Sequence, residues 1–171
     1  MPDTPMTSSP SPDATPDGWQ LLPVRAARLA ALGGLPAGAL FPGLPFAAAW
    51  WLLDLPGGVP AAAAWLLVGA LIGARISWRR VRRTWWRLDD SGLGLRRDLW
   101  WQRDTRVPTS RVQHLDVRRG PLQRRARLAT LVVHTAGSRF SAVVLDGLDE
   151  DDAERLRDTL ARQLDQDADA L

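Results

Sequence analysis

The sequence predicts a two-helix membrane hairpin followed by a mainly-β domain of short antiparallel strands and a C-terminal amphipathic α-helix that covers them. Three observations carry that prediction. Residues 29–53 and 55–74 are runs of 25 and 20 positions without a single charge. From Thr84 onward, short segments of alternating or β-rich composition follow one another, separated by turn-forming residues. At the end, Ala153, Leu156, Leu160 and Leu164 recur at spacings of three, four and four, one apolar stripe on a helix.

The chain begins with MPDTPMTSSPSPDATPDG, rich in Pro, Ser, Thr and Asp and nearly devoid of large apolar side chains. Such a segment cannot bury enough surface to offset its ordering entropy, so residues 1–24 are expected to form a disordered tail.

The two uncharged runs come next. A helix rises about 1.5 Å per residue, so roughly 20 residues cross a hydrocarbon core of about 30 Å. The stretch DLPGGVP between the runs supplies the turn of a hairpin over residues 25–78, with spans at about 29–51 and 58–78. Buried helices of a soluble protein are the rival, but such helices normally carry a polar stripe and neither run has one. Pro36, Pro42 and Pro45 weaken the first span by removing backbone donors, a loss that membrane helices tolerate better than soluble ones. A cleaved signal peptide requires a basic start and a shorter apolar core, and this N-terminus is acidic.

The flanks set the orientation. Arg25 and Arg28 precede the first span, Arg75, Arg79, Arg80, Arg82 and Arg83 end or follow the second, and the turn carries only Asp54. Positive charge stays on the cytoplasmic side, which places both termini inside a bacterial inner membrane that the chain crosses twice. Trp50 and Trp51 at the outer end and Trp78 at the inner end suit the aromatic belts.

Residues 79–165 read as one domain. Its segments are divided by Asp90-Ser91-Gly92, Pro108-Thr109-Ser110, Gly120-Pro121 and Ala136-Gly137-Ser138, as in an antiparallel meander, sandwich or small barrel. The faces expected to be buried carry Leu93, Leu95 and Leu99, with Arg97 at the intervening position, then Ala129, Leu131 and Val133, then Phe140, Ala142 and Val144. Val112, Leu115 and Val117 are further core candidates. Asp149 is placed to cap the final helix, with Glu150, Asp151, Asp152 and Glu154 at the positive end of its dipole. Residues 166–171 form an acidic tail.

Composition excludes several chemistries. Cysteine is absent, so there is no disulfide, thiolate zinc site or thiol nucleophile. His114 and His134 are the only histidines and lack partners at ligand spacing. Ser110, near Arg111 and His114, is explained by its turn, as are Asp89 and Asp90, and no glycine-rich phosphate loop occurs. The sequence therefore points to a non-enzyme without cofactor, metal or small-molecule substrate. Charge is unevenly spread: residues 79–127 hold fifteen arginines against five aspartates, and residues 146–171 hold ten acids against three arginines. The basic region calls for an anionic partner. No nucleic-acid-binding motif accompanies it.

The stretch RLDDSGLGLRRDLWWQRDTRVPTSRVQHLDVRRGPLQRRARLATLVVHTAG, followed by LDGL and a helix, resembles the bacterial pleckstrin-homology (PH)-like membrane proteins of the YdbS type. The positions that match include Trp86, Gly92, Leu93, Val107, Pro108, Ser110, Arg111, Gln113, Asp116, Val117, Gly120, Pro121, Leu122, Arg124, Leu128, Ala129 and Thr135-Ala136-Gly137. The likeness covers roughly residues 25–165. Trp86 stands where tyrosine is usual, and Gln123-Arg124-Arg125-Ala126-Arg127 is more basic than the family pattern. The resemblance implies a PH-like fold, a bent antiparallel sheet of about seven strands capped by the C-terminal helix, and a recognition scaffold with no assigned enzymatic activity. It gives Pro108, Ser110, Arg111, Gln113, Asp116, Gly120, Pro121 and Leu122 mainly structural roles.

The expected function is assembly or scaffolding at the membrane, through a second copy or a related PH-like membrane protein. The alternative is recognition of anionic lipid headgroups. Its candidate contacts are Arg79, Arg80, Arg82 and Arg83 beside the second span, and Arg118, Arg119, Arg124, Arg125 and Arg127 around the Gly120-Pro121 turn. Pairing of that loop with the acidic C-terminal helix is the bland reading. A membrane-embedded enzyme is the remotest of the alternatives.

Overall fold

The computed structural model describes residues 18–89, 92–136 and 142–169. It opens on a strand rather than a tail: β1 (Gln20–Leu21) pairs antiparallel with Trp85 and Trp86. Residues 18–24 therefore leave the expected tail, and residues 1–17 lie outside the described residues. The reason is burial. Leu22 is only 2% exposed and belongs to the domain core. The Trp19 ring holds the guanidiniums of Arg87 and Arg96 at 5.1 and 4.7 Å. Apolar burial and cation–π contact offset the cost of ordering.

The hairpin begins at once. Helix α1 (Val24–Gly38) runs through a π-helical turn (Ala39–Gly43) into α2 (Leu44–Leu52), and α3 (Gly58–Arg82) packs back along this rod. The rods of 29 and 25 residues are long and apolar enough to cross a membrane. Pro42 sits inside the π-helical turn, where a widened hydrogen-bond pattern accommodates its missing donor without breaking the rod. The two rods touch through backbone. A Cβ on Gly38 would lie 2.7 Å from the Cα of Gly73, and a Cβ on Gly69 would lie 2.7 Å from the Cα of Gly43. Only glycine permits this approach. At the far turn, Phe46 stacks on Trp65 at 5.1 Å and Trp50 Nε1 donates to the Pro56 carbonyl at 3.2 Å.

The domain has two antiparallel sheets. One is ordered β1-β2-β3-β4, with β2 (Thr84–Asp89), β3 (Gly92–Asp98) and β4 (Gln102–Val107); the other is ordered β5-β6-β7, with β5 (Val112–Arg118), β6 (Leu128–Thr135) and β7 (Ala142–Asp149). A helix of five residues, α4 (Pro121–Arg125), follows the Gly120 break. Its proline stands at the helix start, where no donor is needed. Helix α5 (Glu150–Asp169) closes the structure. This is the expected PH-like architecture, with one of its seven described strands drawn from ahead of the hairpin.

Trp86, Leu93 and Leu95 of the first sheet meet Ala129, Leu131, Val133 and Leu145 of the second, and Ala153, Leu156 and Leu160 of α5 cover them. Complete burial of one such leucine contributes about 1.5–3 kcal/mol. The Asp151 amide donates to Asp149 Oδ1 at 3.3 Å, as a cap should.

One strand presents the face opposite to the one expected. On β7, Val144 is exposed, whereas Val143 and Leu145 pair with the buried Val133 and Leu131. Cross-strand partners share a face, so the pairing with β6 sets which parity of β7 is covered. An irregularity between Ala129 and Thr130, opposite Gly147 (φ +83°), then turns Leu148 inward as well. Phe140 and the side chain of Leu164 lie outside the described residues.

Hairpin and domain meet in a tight joint. Only Leu22 and Pro23 separate β1 from α1, and only Arg83 separates α3 from β2. Arg25 forms an ion pair with Asp149, the residue that caps α5. Gly147 lies so close to α1 that an added Cβ would stand 2.9 Å from the Ala26 Cβ.

Candidate functional site

The inward face of β3 runs Leu93, Leu95, Arg97, because alternate residues of a strand share a side. The two leucines are core. Arg97 carries the same face past the edge of the core, and Arg103 of β4 is its cross-strand partner. Ser77 and Arg80, three residues apart on α3, come from the hairpin side. These groups line a cleft of about 570 Å³ between hairpin and domain. Its hairpin wall is built from Ala30, Gly33, Gly34 and Ala37 of α1.

The cleft concentrates positive charge. Burial, and then the charges of Arg80 and Arg103, hold the Arg97 guanidinium below its ordinary value. Arg97 also donates from Nη2 to the Val144 carbonyl at 2.8 Å, bridging the two sheets. Two acids border the cleft. Asp146 already accepts from Gln123 Nε2 at 2.7 Å and Thr130 Oγ1 at 2.6 Å. Asp98 falls on the opposite strand face by alternation. Trp100 and Trp101, 83% and 88% exposed, stand at the β3–β4 bend beside the cleft, with Trp101 on its rim. That bend is fixed to the end of α3: the Asp98 amide donates to the Arg83 carbonyl at 3.0 Å, and Arg83 Nη1 to the Leu99 carbonyl at 3.4 Å.

The arginines singled out from the sequence are divided by the structure. Arg79, Arg80 and Arg82 occupy the last turn of α3, where the helix dipole favours cations, and Arg83 follows. Of these, Arg80 lines the cleft. Arg118 turns to Asp116, its Nε donating to Oδ2 at 2.7 Å, and Arg119 pairs with Glu150 and Glu154 of α5. The loop is thus in part joined to the acidic helix. Arg124, Arg125 and Arg127 are exposed around α4. A second groove of about 580 Å³ lies between α4 and α1, with Leu29, Leu32 and the exposed Leu122 on its walls.

The motif residues shape the chain. Pro108 precedes a single 3-10 turn holding Ser110 and Arg111, whose carbonyl accepts from the Ala136 amide at 2.9 Å. Gln113 sits at the register shift of β5, and Asp116 accepts from Arg118. Gly120 donates its amide to Gln123 Oε1 at 2.9 Å, closing the start of α4. His114 and His134 face each other across β5 and β6 with ring centres 5.8 Å apart. Among the described residues no group of three or more His, Cys, Asp or Glu side chains could hold a metal ion.

Sequence reasoning missed the cleft pair Arg97 and Arg103. The available signal was an arginine on the apolar parity of β3. Its convergence with Arg80 depends on how the hairpin docks.

Sequence comparisons agree with this architecture. The bacterial PH domain family matches residues 27–164. The chain is 28% identical over 162 residues to the transmembrane protein YdbS of Bacillus subtilis (strain 168), covering 92% of this chain and 94% of that one. No solved structure matches significantly.

Proposed function

The chain belongs to the bacterial PH domain family, and on that premise we propose that it crosses the bacterial inner membrane twice, with both termini in the cytoplasm, and presents its PH-like domain for protein assembly at the membrane. The observation that carries this reading is the joint. With one- and two-residue connectors, the Arg25–Asp149 pair and the Gly147–Ala26 contact, hairpin and domain form one body. A domain held at fixed height and orientation has already given up the freedom that lateral association removes, so a modest interface suffices. The partner is a second copy or a related PH-like membrane protein. Topology is supported by the arginines at the domain end of the hairpin and by Asp54 at the far turn.

Crosslinking with mass spectrometry in native membranes tests assembly, and recovery of monomer alone across a range of linker lengths would overturn it. Topology has a clean test because the chain contains no cysteine. In intact spheroplasts, Leu55→Cys should react with an impermeant maleimide, and Arg162→Cys should react only after permeabilisation. The reverse pattern inverts the assignment.

A second reading, recognition of anionic headgroups, is favoured by one observation: three guanidiniums converge where the domain meets the hairpin. Vesicle binding by the basic surface should then weaken steeply with salt.

A further inference from the structure

We propose that the cleft at the joint seats one anionic phospholipid of the adjoining leaflet, its phosphate among Arg80, Arg97 and Arg103 and its glycerol–acyl portion along Ala30, Gly33 and Ala37. The inference deepens the headgroup reading and rests on it, by naming the site and the ligand class.

Two halves of the cleft point to an amphiphile. The polar half gathers three guanidiniums from α3, β3 and β4, with Ser77 beside them. Like charges so placed repel, and the partly desolvated Arg97 shows the effect. Three guanidiniums outnumber the two bordering acids: Asp146, which accepts from Gln123 and Thr130 and whose charge acts on Arg97, and Asp98, which lies on the other strand face. Guanidinium groups suit phosphate oxygens by their fork of donors.

The other half is apolar and lies along the hairpin. Ala30, Gly33 and Ala37 form a smooth strip on α1, extending away from the arginines into the expected span. A Cβ built on Gly33 meets nothing within 4 Å, so space remains beside it. A free phosphate could occupy the polar half alone, whereas a glycerophospholipid fills both. The exposed indoles of Trp100 and Trp101 stand beside the cleft, and indoles partition to the headgroup level.

The test uses the full chain in non-ionic detergent. It is offered phosphatidylglycerol or phosphatidylcholine of identical acyl chains, and bound lipid is counted by native mass spectrometry, with inorganic phosphate as competitor. A single phosphatidylglycerol should be retained in preference to phosphatidylcholine, and phosphate should not displace it. Arg80→Gln should weaken retention about fivefold, the effect of one charge near a phosphate. Gly33→Leu should abolish retention with every arginine in place. Because Gly33 faces open space, that variant should keep the wild-type circular dichroism spectrum, and Gly33→Ala serves as a milder form of the same block. Equal retention of both lipids, displacement by phosphate alone, or unchanged retention in either Arg80→Gln or Gly33→Leu would overturn the cleft assignment. Headgroup-selective retention that survives both substitutions would remove the cleft and keep the headgroup reading.

Discussion

The hairpin and the β domain are packed by opposite means. In the domain, large side chains fill the contact: Leu93, Leu131, Leu145 and Leu160 are each at most 1% exposed. In the hairpin, the contact is made largely without side chains along its glycine stretch, where Gly34, Gly38 and Gly43 meet Gly69 and Gly73 backbone to backbone, and ring stacking is confined to the far turn. The solvent explains the difference. In water, burial of apolar surface drives association, so bulk is useful. In lipid, the surroundings are as apolar as leucine, and association depends on close van der Waals approach, so small residues are useful. One chain thus applies two packing rules, and they change over at Leu22–Pro23 and Arg83.

Substitutions can break each half separately. Leu131→Ala should cost the domain about 2–5 kcal/mol, because the core around it collapses only partly. Thermal unfolding followed by near-ultraviolet circular dichroism should show the loss while the hairpin stays helical. Equal loss in both regions would show them to be one cooperative unit. Gly38→Ala should cost about 1–3 kcal/mol in the hairpin by forcing the rods apart. Disulfide trapping between cysteines on α1 and α3 should slow, with the domain transition unmoved.

Asp149→Ala tests the joint itself. It removes both the cap of α5 and the partner of Arg25. The cap contributes about 1 kcal/mol and the half-exposed pair a fraction of that. Hydrogen exchange should quicken at the start of α5 and the start of α1 together. Quickening at α5 alone would show that Arg25 does not fasten the hairpin.

The smallest effect is electrostatic. The hydrogen bond from Arg118, and then its charge, hold the Asp116 carboxyl below the usual carboxylate value. A depressed folded value stabilises the fold above the ordinary carboxylate value, about 3.9, and that contribution is lost as pH falls through the depressed one. Arg118→Ala should raise the Asp116 titration midpoint by nuclear magnetic resonance. At neutral pH the stability should barely change, since the pair faces solvent.

The hairpin was legible because charge is prohibitive in a bilayer, and two uncharged runs bounded by arginines leave few alternatives. Its packing glycines were not singled out in the sequence, although Gly34 and Gly38, like Gly69 and Gly73, stand four residues apart, a spacing that brings one helix face close to another. The closing helix was legible from the stripe Ala153, Leu156 and Leu160. Strand β1 was not legible, because two residues carry no periodicity. Nor was the buried face of β7, since Ala142, Val143, Val144 and Leu145 are apolar at both parities.

By itself, then, the sequence determined the membrane character of residues 25–78, the succession of short strands beyond Arg83 and the amphipathic helix that closes the chain. These are properties of local composition and period. Only the tertiary structure decided that Arg80, Arg97 and Arg103 line one cleft, that Arg119 pairs with Glu150 and Glu154 of α5, and that the residues ahead of the hairpin add a strand to the sheet behind it. Those facts depend on contacts between segments far apart in the chain, and local pattern carries no record of them.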